Sequence, residues 1–215
     1  VSGRSAFQRR LIDQPLMRSV LADLALDWEG SVSLGFFVAA AFDRTDAESR
    51  ALARIGVALA KYLGNKRCVS VIGEAMEVLG GMGYVEETPM PMLYREAPLN
   101  SIWEGSGNVI CLDILGSCVK EPEAVAQLDA RLDAARGLDP RFDTALAEHR
   151  ARWPGLPAEA EARWFAESLA ILLTGAVMLA DSPLAGEWLA TRFGARGRIT
   201  GAVGAIDARR VLETL

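Results

Sequence analysis

An all-α chain is predicted: an antiparallel, up-down four-helix-bundle-like domain over residues 1–118, followed by a smaller helical unit over 119–215. Three observations predict it. Ala and Leu are abundant while Val-Ile-Thr-Tyr alternation is nearly absent, and unbranched side chains lose little rotamer freedom in a helix. Apolar residues recur at helical spacing through the first 118 residues. A hydrophobic share of 51% against 24% charged marks a chain of 215 residues that can bury a core.

Pro15, after Asp13-Gln14, suits a first helical turn, and Leu16, Val20, Leu24, Trp28, Leu34 and Val38 follow as the expected buried stripe of a helix running to about Arg44. Thr45-Asp46-Ala47-Glu48 reads as a capping box, with Thr45 at the cap. The helix it opens buries Leu52, Ile55, Leu59 and Leu63, then Val71, Ala75 and Val78, and the short turn before it makes the pair antiparallel. Gly80-Gly81-Met82-Gly83 stops that helix. A loop through Glu86 to Pro91 and a short helical turn at Tyr94 and Arg95 come next, and Ser106 or Asn108 caps a last bundle helix through Ile110, Leu112 and Leu115. Beyond Glu121-Pro122, Pro140, Pro154, Pro157 and Pro183 cut the chain into shorter helices around an apolar one at roughly 159–180.

Charge and cysteine content exclude several functions. Residues 1–118 hold eleven Lys/Arg against fourteen Asp/Glu and residues 119–215 twelve against fourteen, so neither half is a basic, nucleic-acid-binding domain in bulk. Cys68, Cys111 and Cys118 form no CxxC and, with a single histidine, no zinc set; they read as reduced packing residues of a cytoplasmic protein. The longest apolar stretch, Leu169–Ala180, is shorter than the roughly twenty residues a membrane span needs, and no signal peptide follows Val1-Ser2-Gly3-Arg4. The chain opens without Met as if in mid-domain, which reads as a fragment of a longer protein. Trp153, Trp164 and Trp188 are expected in the core, and His149, between Glu148 and Arg150, on the surface.

Four short runs could carry chemistry. The glycine turn follows no strand, so it is no Rossmann fingerprint; it is either a helix end needing positive φ or a bare backbone that a bulky ligand approaches. Arg4, near Phe7, is either a surface cation or an anion ligand. Glu104, between Ile102-Trp103 and Gly105, is either a helix-cap carboxylate or a base in a closed site, where burial would raise its pKa. The last twenty-four residues carry Arg192, Arg196, Arg198, Arg209 and Arg210 against Asp207 and Glu213, which is a solvated helix face or a phosphate-binding patch.

Taken together, Arg4-x-x-Phe7, Glu77-Val78-Leu79-Gly80-Gly81-Met82-Gly83-Tyr84, Tyr94-Arg95-Glu96-Ala97 and Ile102-Trp103-Glu104-Gly105-Ser106 closely resemble the carboxy-terminal helical domain of acyl-CoA dehydrogenases, over about residues 1–117. The resemblance implies FAD as cofactor, an acyl-CoA as substrate and a homo-oligomeric (dimeric or tetrameric) parent. Glu104 would take the α-proton of the thioester while the β-hydride passes to flavin N5, its N–H helping to hold the thioester oxygen. Arg4 and Phe7 would reach FAD, Gly80 and Gly81 would meet the FAD of a neighbouring subunit, and Ser106 and Asn108 would lie on its adenosine-diphosphate side. Trp103 and Gly105 would line the substrate pocket. Glu77 would also stand at the cofactor. Gln8, Glu77, Trp103 and Ser106 depart from the common family pattern, and the Glu77 carboxylate would repel a pyrophosphate unless it is protonated or turned away. These departures, with Cys111-Leu112-Asp113 and the helical tail, are similar to the alkylation-response (AidB-type) branch. That likeness implies low dehydrogenase activity, since Trp103 crowds the pocket, and the alternative of a double-stranded-DNA-binding flavoprotein using the fold as scaffold.

Overall fold

In the computed structural model the described residues are 1–204 and 206–215. A two-stranded ribbon, β1 (Ser5–Ala6) and β2 (Arg9–Arg10), opens the chain. Its turn places Phe7 and Gln8 at φ 52° and 63°, the left-handed pair that a two-residue hairpin requires. Ten helices follow: α1 (Pro15–Asp43), α2 (Ala47–Leu79), α3 (Gly81–Tyr84), α4 (Met90–Glu96), α5 (Gly107–Lys120), α6 (Pro122–Ala134), α7 (Pro140–Arg152), α8 (Ala162–Asp181), α9 (Ala185–Phe193) and α10 (Ala208–Thr214). The all-α bundle is as expected.

The cap of α2 is Asp46, whose carboxylate accepts the Ser49 N–H at 2.8 Å; the Thr45 capping box does not form. Gly80 ends α2 at φ 64°. Gly83 follows where a Cβ would run into the Met76 carbonyl, so only glycine lets the chain fold back this tightly.

α1 and α2 pack together, α8 from the segment beyond residue 118 packs against both, and α5 packs against α2 and α8. A contiguous core joins Leu26, Leu34, Ile55, Leu59 and Ile114 to Leu128, Phe142, Leu172, Leu173 and Trp188. α1 and α8 are long and apolar enough, by length and composition, to cross a membrane; α8 owes its hydropathy to its central, largely buried position.

The buried face of α1 differs from the expected stripe. Leu16 and Trp28 are exposed, at 77% and 56%, while Ala22, Asp23, Leu26, Asp27, Gly30, Leu34 and Val38 are buried. Two carboxylates and a glycine occupy positions that a search for apolar periodicity passes over. Gly30 is needed because a Cβ there would strike the Trp188 indole. Asp23 and Asp27 are needed because α9 and the residues after it bring arginines onto them.

Two further expectations are corrected. Trp164 is half exposed, with the Arg152 guanidinium 4.0 Å over its ring, whereas Trp153 and Trp188 are buried. His149 is buried, its Nδ1 2.8 Å from Ser168 Oγ and its ring packed between Trp153 and Phe165; its charged neighbours Glu148 and Arg150 point along other faces of α7. Burial, followed by the nearby Arg150, pushes its pKa from 6.5 down to about 4. The folded state therefore binds fewer protons than the unfolded state between those values. The His149 contribution to thermal stability is expected to fall as pH drops from 6.5 towards 4 and to level off below, and His149→Gln should flatten that part of the slope in a melting series.

Candidate functional site

The sequence brings Arg4 onto the glycine turn. α2 ends with unpaired carbonyls, and the Arg4 guanidinium, held by the ribbon, donates from Nη1 to the Leu79 carbonyl at 2.6 Å. A Cβ on Gly80 would lie 3.1 Å from Arg4 Nη2, while a Cβ on Gly81 would meet nothing within 4 Å. Nη2 has no protein acceptor among the described residues. A cation with a free nitrogen beside open, side-chain-free backbone fits an anionic group such as a pyrophosphate. Glu77 is exposed one turn back, and Phe7 projects from the ribbon tip at 94% exposure.

Glu104 sits elsewhere along the same helix. The 3₁₀ turn Ala97–Ser101 leads into Ile102-Trp103-Glu104-Gly105, where Glu104 has φ 54° and Gly105 φ 104°. Lys61 of α2 donates its ammonium to the Trp103 carbonyl at 2.9 Å and the Glu104 carbonyl at 2.6 Å. One turn on, Asn65 Nδ2 donates to the Asn100 carbonyl, and the Asn65 carbonyl accepts Ser101 Oγ at 2.9 Å. Contrary to expectation, Glu104 is exposed in this chain. Ile102 and Trp103 also face outward, so its apolar neighbours form an open surface and do not enclose it.

Ser106 caps α5 without a side-chain bond, and Asn108 Oδ1 accepts from Arg163 Nε of α8 at 2.7 Å. Gly107 lies flush against Lys66, where a Cβ would collide with the lysine stem. Lys61, Asn65, Lys66 and Arg163 were not singled out from the sequence. Three of them fall in the run Lys61 to Arg67 near the middle of α2, a helix that carries charged residues towards both ends as well, so the run gives no distinct signal.

The two groups of residues are separated. Lys61 and Gly80 are nineteen residues apart on α2, about 28 Å at 1.5 Å per residue. Arg4 with the double glycine, and Glu104 with Ser106 and Asn108, are therefore two separate groups, the candidate half-sites.

The five carboxy-terminal arginines form no open patch. Arg192, 5% exposed in its side chain, pairs with Asp23 at 2.9 Å and Asp27 at 2.8 Å, and Arg196 pairs with Asp23 at 3.1 Å. Arg209 pairs with Glu213 and Arg210 with Glu187, both at 2.7 Å. Arg198 is exposed and has no acidic partner among the described residues. The charge excess counted in the sequence is thus spent largely on carboxylates of α1 and α9.

A hollow of about 850 Å³ lies far from Glu104 in the chain, lined by His149, Arg152, Trp153, Trp164 and Phe193 of the extension. Of the candidate residues it contains only Arg192.

An all-helical bundle whose second helix breaks on a double glycine, followed by a loop presenting a carboxylate in a left-handed bend, defines the carboxy-terminal domain of a dehydrogenase-type protein. The chain belongs to the acyl-CoA dehydrogenase family: residues 1–118 match the family described as "Acyl-CoA dehydrogenase, C-terminal domain". It is 42% identical over 199 residues to the putative acyl-CoA dehydrogenase AidB of Escherichia coli K12, a match covering 91% of this chain and 37% of that protein. It is 38% identical over 107 residues to acyl-CoA dehydrogenase family member 11 of Caenorhabditis elegans, covering 47% of this chain and 17% of that one. Among solved structures, Caenorhabditis elegans ACDH-11 in complex with C11-CoA superposes at TM-score 0.78 with 21% identity, over 99% of this chain and 41% of that one. The apo form of Bd2924 superposes at 0.72 with 29% identity, over 82% of this chain and 36% of that one. The likeness to AidB runs well beyond residue 118, as the reading of the tail expected. The chain spans little more than a third of that relative's length.

Proposed function

We propose that this chain is the carboxy-terminal part of an FAD-dependent acyl-CoA dehydrogenase-like flavoprotein of low activity, with Glu104 as the base that takes the α-proton of an acyl-CoA thioester. The observation that carries the reading is Glu104 itself: a carboxylate in a left-handed backbone bend, clamped from α2 and presented on an open apolar surface. Strained backbone of this kind persists where the surroundings hold it, and it gathers at functional positions. The Glu104 N–H would hold the thioester oxygen, and Trp103 would narrow the acyl pocket.

FAD, when bound, supplies the hydride acceptor. Arg4, Phe7, Gly80 and Gly81 would hold one FAD, and Ser106 and Asn108 another. The 28 Å of helix between the half-sites supports a homo-oligomer in which each copy contributes to two cofactor sites. Alone, this chain would retain little FAD. Arg192 and Arg196 could reach double-stranded DNA only by leaving buried carboxylates, and of the tail arginines Arg198 alone is without an acidic partner among the described residues, so no contact favours a DNA role.

Anaerobic titration of the full-length protein with acyl-CoAs of graded length tests the proposal. The visible flavin band is expected to bleach, slowly, with at least one of them. A yellow protein that dithionite reduces and no acyl-CoA bleaches would overturn it.

A further inference from the structure

We infer that Lys61 is a positioning residue for Glu104, a role that rests on reading Glu104 as the base. The peptide planes on either side of the Glu104 Cα carry the carbonyls of Trp103 and Glu104, and one ammonium holds both, at 2.9 and 2.6 Å. Fixing both planes fixes φ and ψ of Glu104, and with them the direction of its Cα–Cβ bond. Among the described residues the loop has little else to do this. The Trp103 N–H bonds the Leu99 carbonyl at 3.2 Å, and the next loop–helix backbone bond is Ile110 N–H to the Ser106 carbonyl. Left-handed φ at a non-glycine residue is unfavourable, so an unclamped Glu104 would relax to other conformers.

The clamp is built into α2. Lys61 and Asn65 are one turn apart on a single face of the helix and grip successive parts of the 100–104 loop. A lysine suits this work because its ammonium offers three donors and no acceptor.

Lys61 also reaches the chemistry through the peptide group it touches. The Trp103 carbonyl and the Glu104 N–H belong to the same amide. A cation on that oxygen polarises the amide and strengthens the N–H as a donor. Lys61 would thus both aim the carboxylate and sharpen the donor that faces the thioester oxygen, without touching substrate itself.

The test compares Lys61→Met, which keeps the stem and removes the charge, with Lys61→Arg and Glu104→Gln in the flavin-loaded full-length protein. Lys61→Met is expected to slow flavin reduction at saturating acyl-CoA by about 10- to 100-fold, the scale of a small misplacement of a reacting group. KM and flavin content should stay near the parent values, and Lys61→Arg should recover part of the loss. Independently of turnover, amide hydrogen exchange over residues 102–106 should quicken by about tenfold in Lys61→Met, as a locally opened segment does. Unchanged exchange, or faster exchange with an unchanged rate of flavin reduction, would overturn the inference. If Glu104→Gln leaves flavin reduction intact, the proposed base is wrong; if only the lysine variants behave as the parent, the fault lies with the clamp. Should Lys61→Met not load with flavin, Lys61→Gln, an uncharged donor, takes its place in the same comparison.

Discussion

Glu104→Gln in the full-length protein is expected to lower acyl-CoA-dependent flavin reduction by about 10²- to 10⁴-fold, the usual contribution of a positioned general base. Glutamine keeps the length and planar end of the side chain, and Lys61 grips only the backbone, so the bend at φ 54° should survive the change. Flavin content and acyl-CoA affinity should be close to those of the parent. Loss of rate with retained binding is the signature of an interaction made in the transition state. Stopped-flow reduction at several acyl-CoA concentrations separates the two quantities, and an unaltered limiting rate would remove Glu104 from the mechanism.

Asp23→Ala is expected to destabilise the fold by about 3–5 kcal/mol, the scale of removing one member of a buried charge pair. Asp23 has no exposed surface and accepts from Arg192 Nη1 at 2.9 Å, Arg196 Nη2 at 3.1 Å and the Gly201 N–H at 2.9 Å. Burial pushes its carboxyl pKa up, but Arg192, the Gly201 N–H and Arg196 together bring it below the ordinary value. Alanine would leave two guanidinium groups short of a counter-charge and one amide without an acceptor. A urea titration followed by circular dichroism reads the loss. The double variant Asp23→Ala/Arg192→Ala should cost less than the two single changes added, because the residues share one network. A shift below about 1 kcal/mol, typical of exposed pairs, would mean that solvent reaches this seam.

The helices were legible because Ala and Leu content, proline positions and apolar spacing all agree at the scale of whole segments. The phase of α1 was not. Its buried face carries Asp23 and Gly30, which have meaning beside Arg192, Arg196 and Trp188, more than 150 residues later, and Asp27, which Arg67 of α2 and Arg192 share. His149 and Trp164 were misplaced for a similar reason: immediate neighbours say little about which face of a helix meets its partner. Within the candidate site, the resemblance assigned Arg4 and the double glycine each to a cofactor but not to one another, and the contact of Arg4 with the Leu79 carbonyl beside Gly80 has no signal in the sequence. Glu104 is expected to be enclosed and is exposed instead, since flanking Ile and Trp can point outward as readily as inward. Lys61 escaped notice because a lysine in a helix reads as a solvated residue, and its partners are backbone carbonyls that no side-chain pattern reveals.

The polar seam of α1 bears on how this molecule can be dissected. Ala22, Leu26 and Leu34 lie in the same core as Leu172, Leu173 and Trp188. A cut at residue 118 would strip that cover from α1, leaving Asp23 stranded in a greasy trough where α9 had rested, while Asp27 would keep only its pair with Arg67 of α2. Such a truncated product would be a sticky, half-covered bundle, unsuited to standing in for the whole in isolation. Dissection is better done by single substitutions within an intact polypeptide.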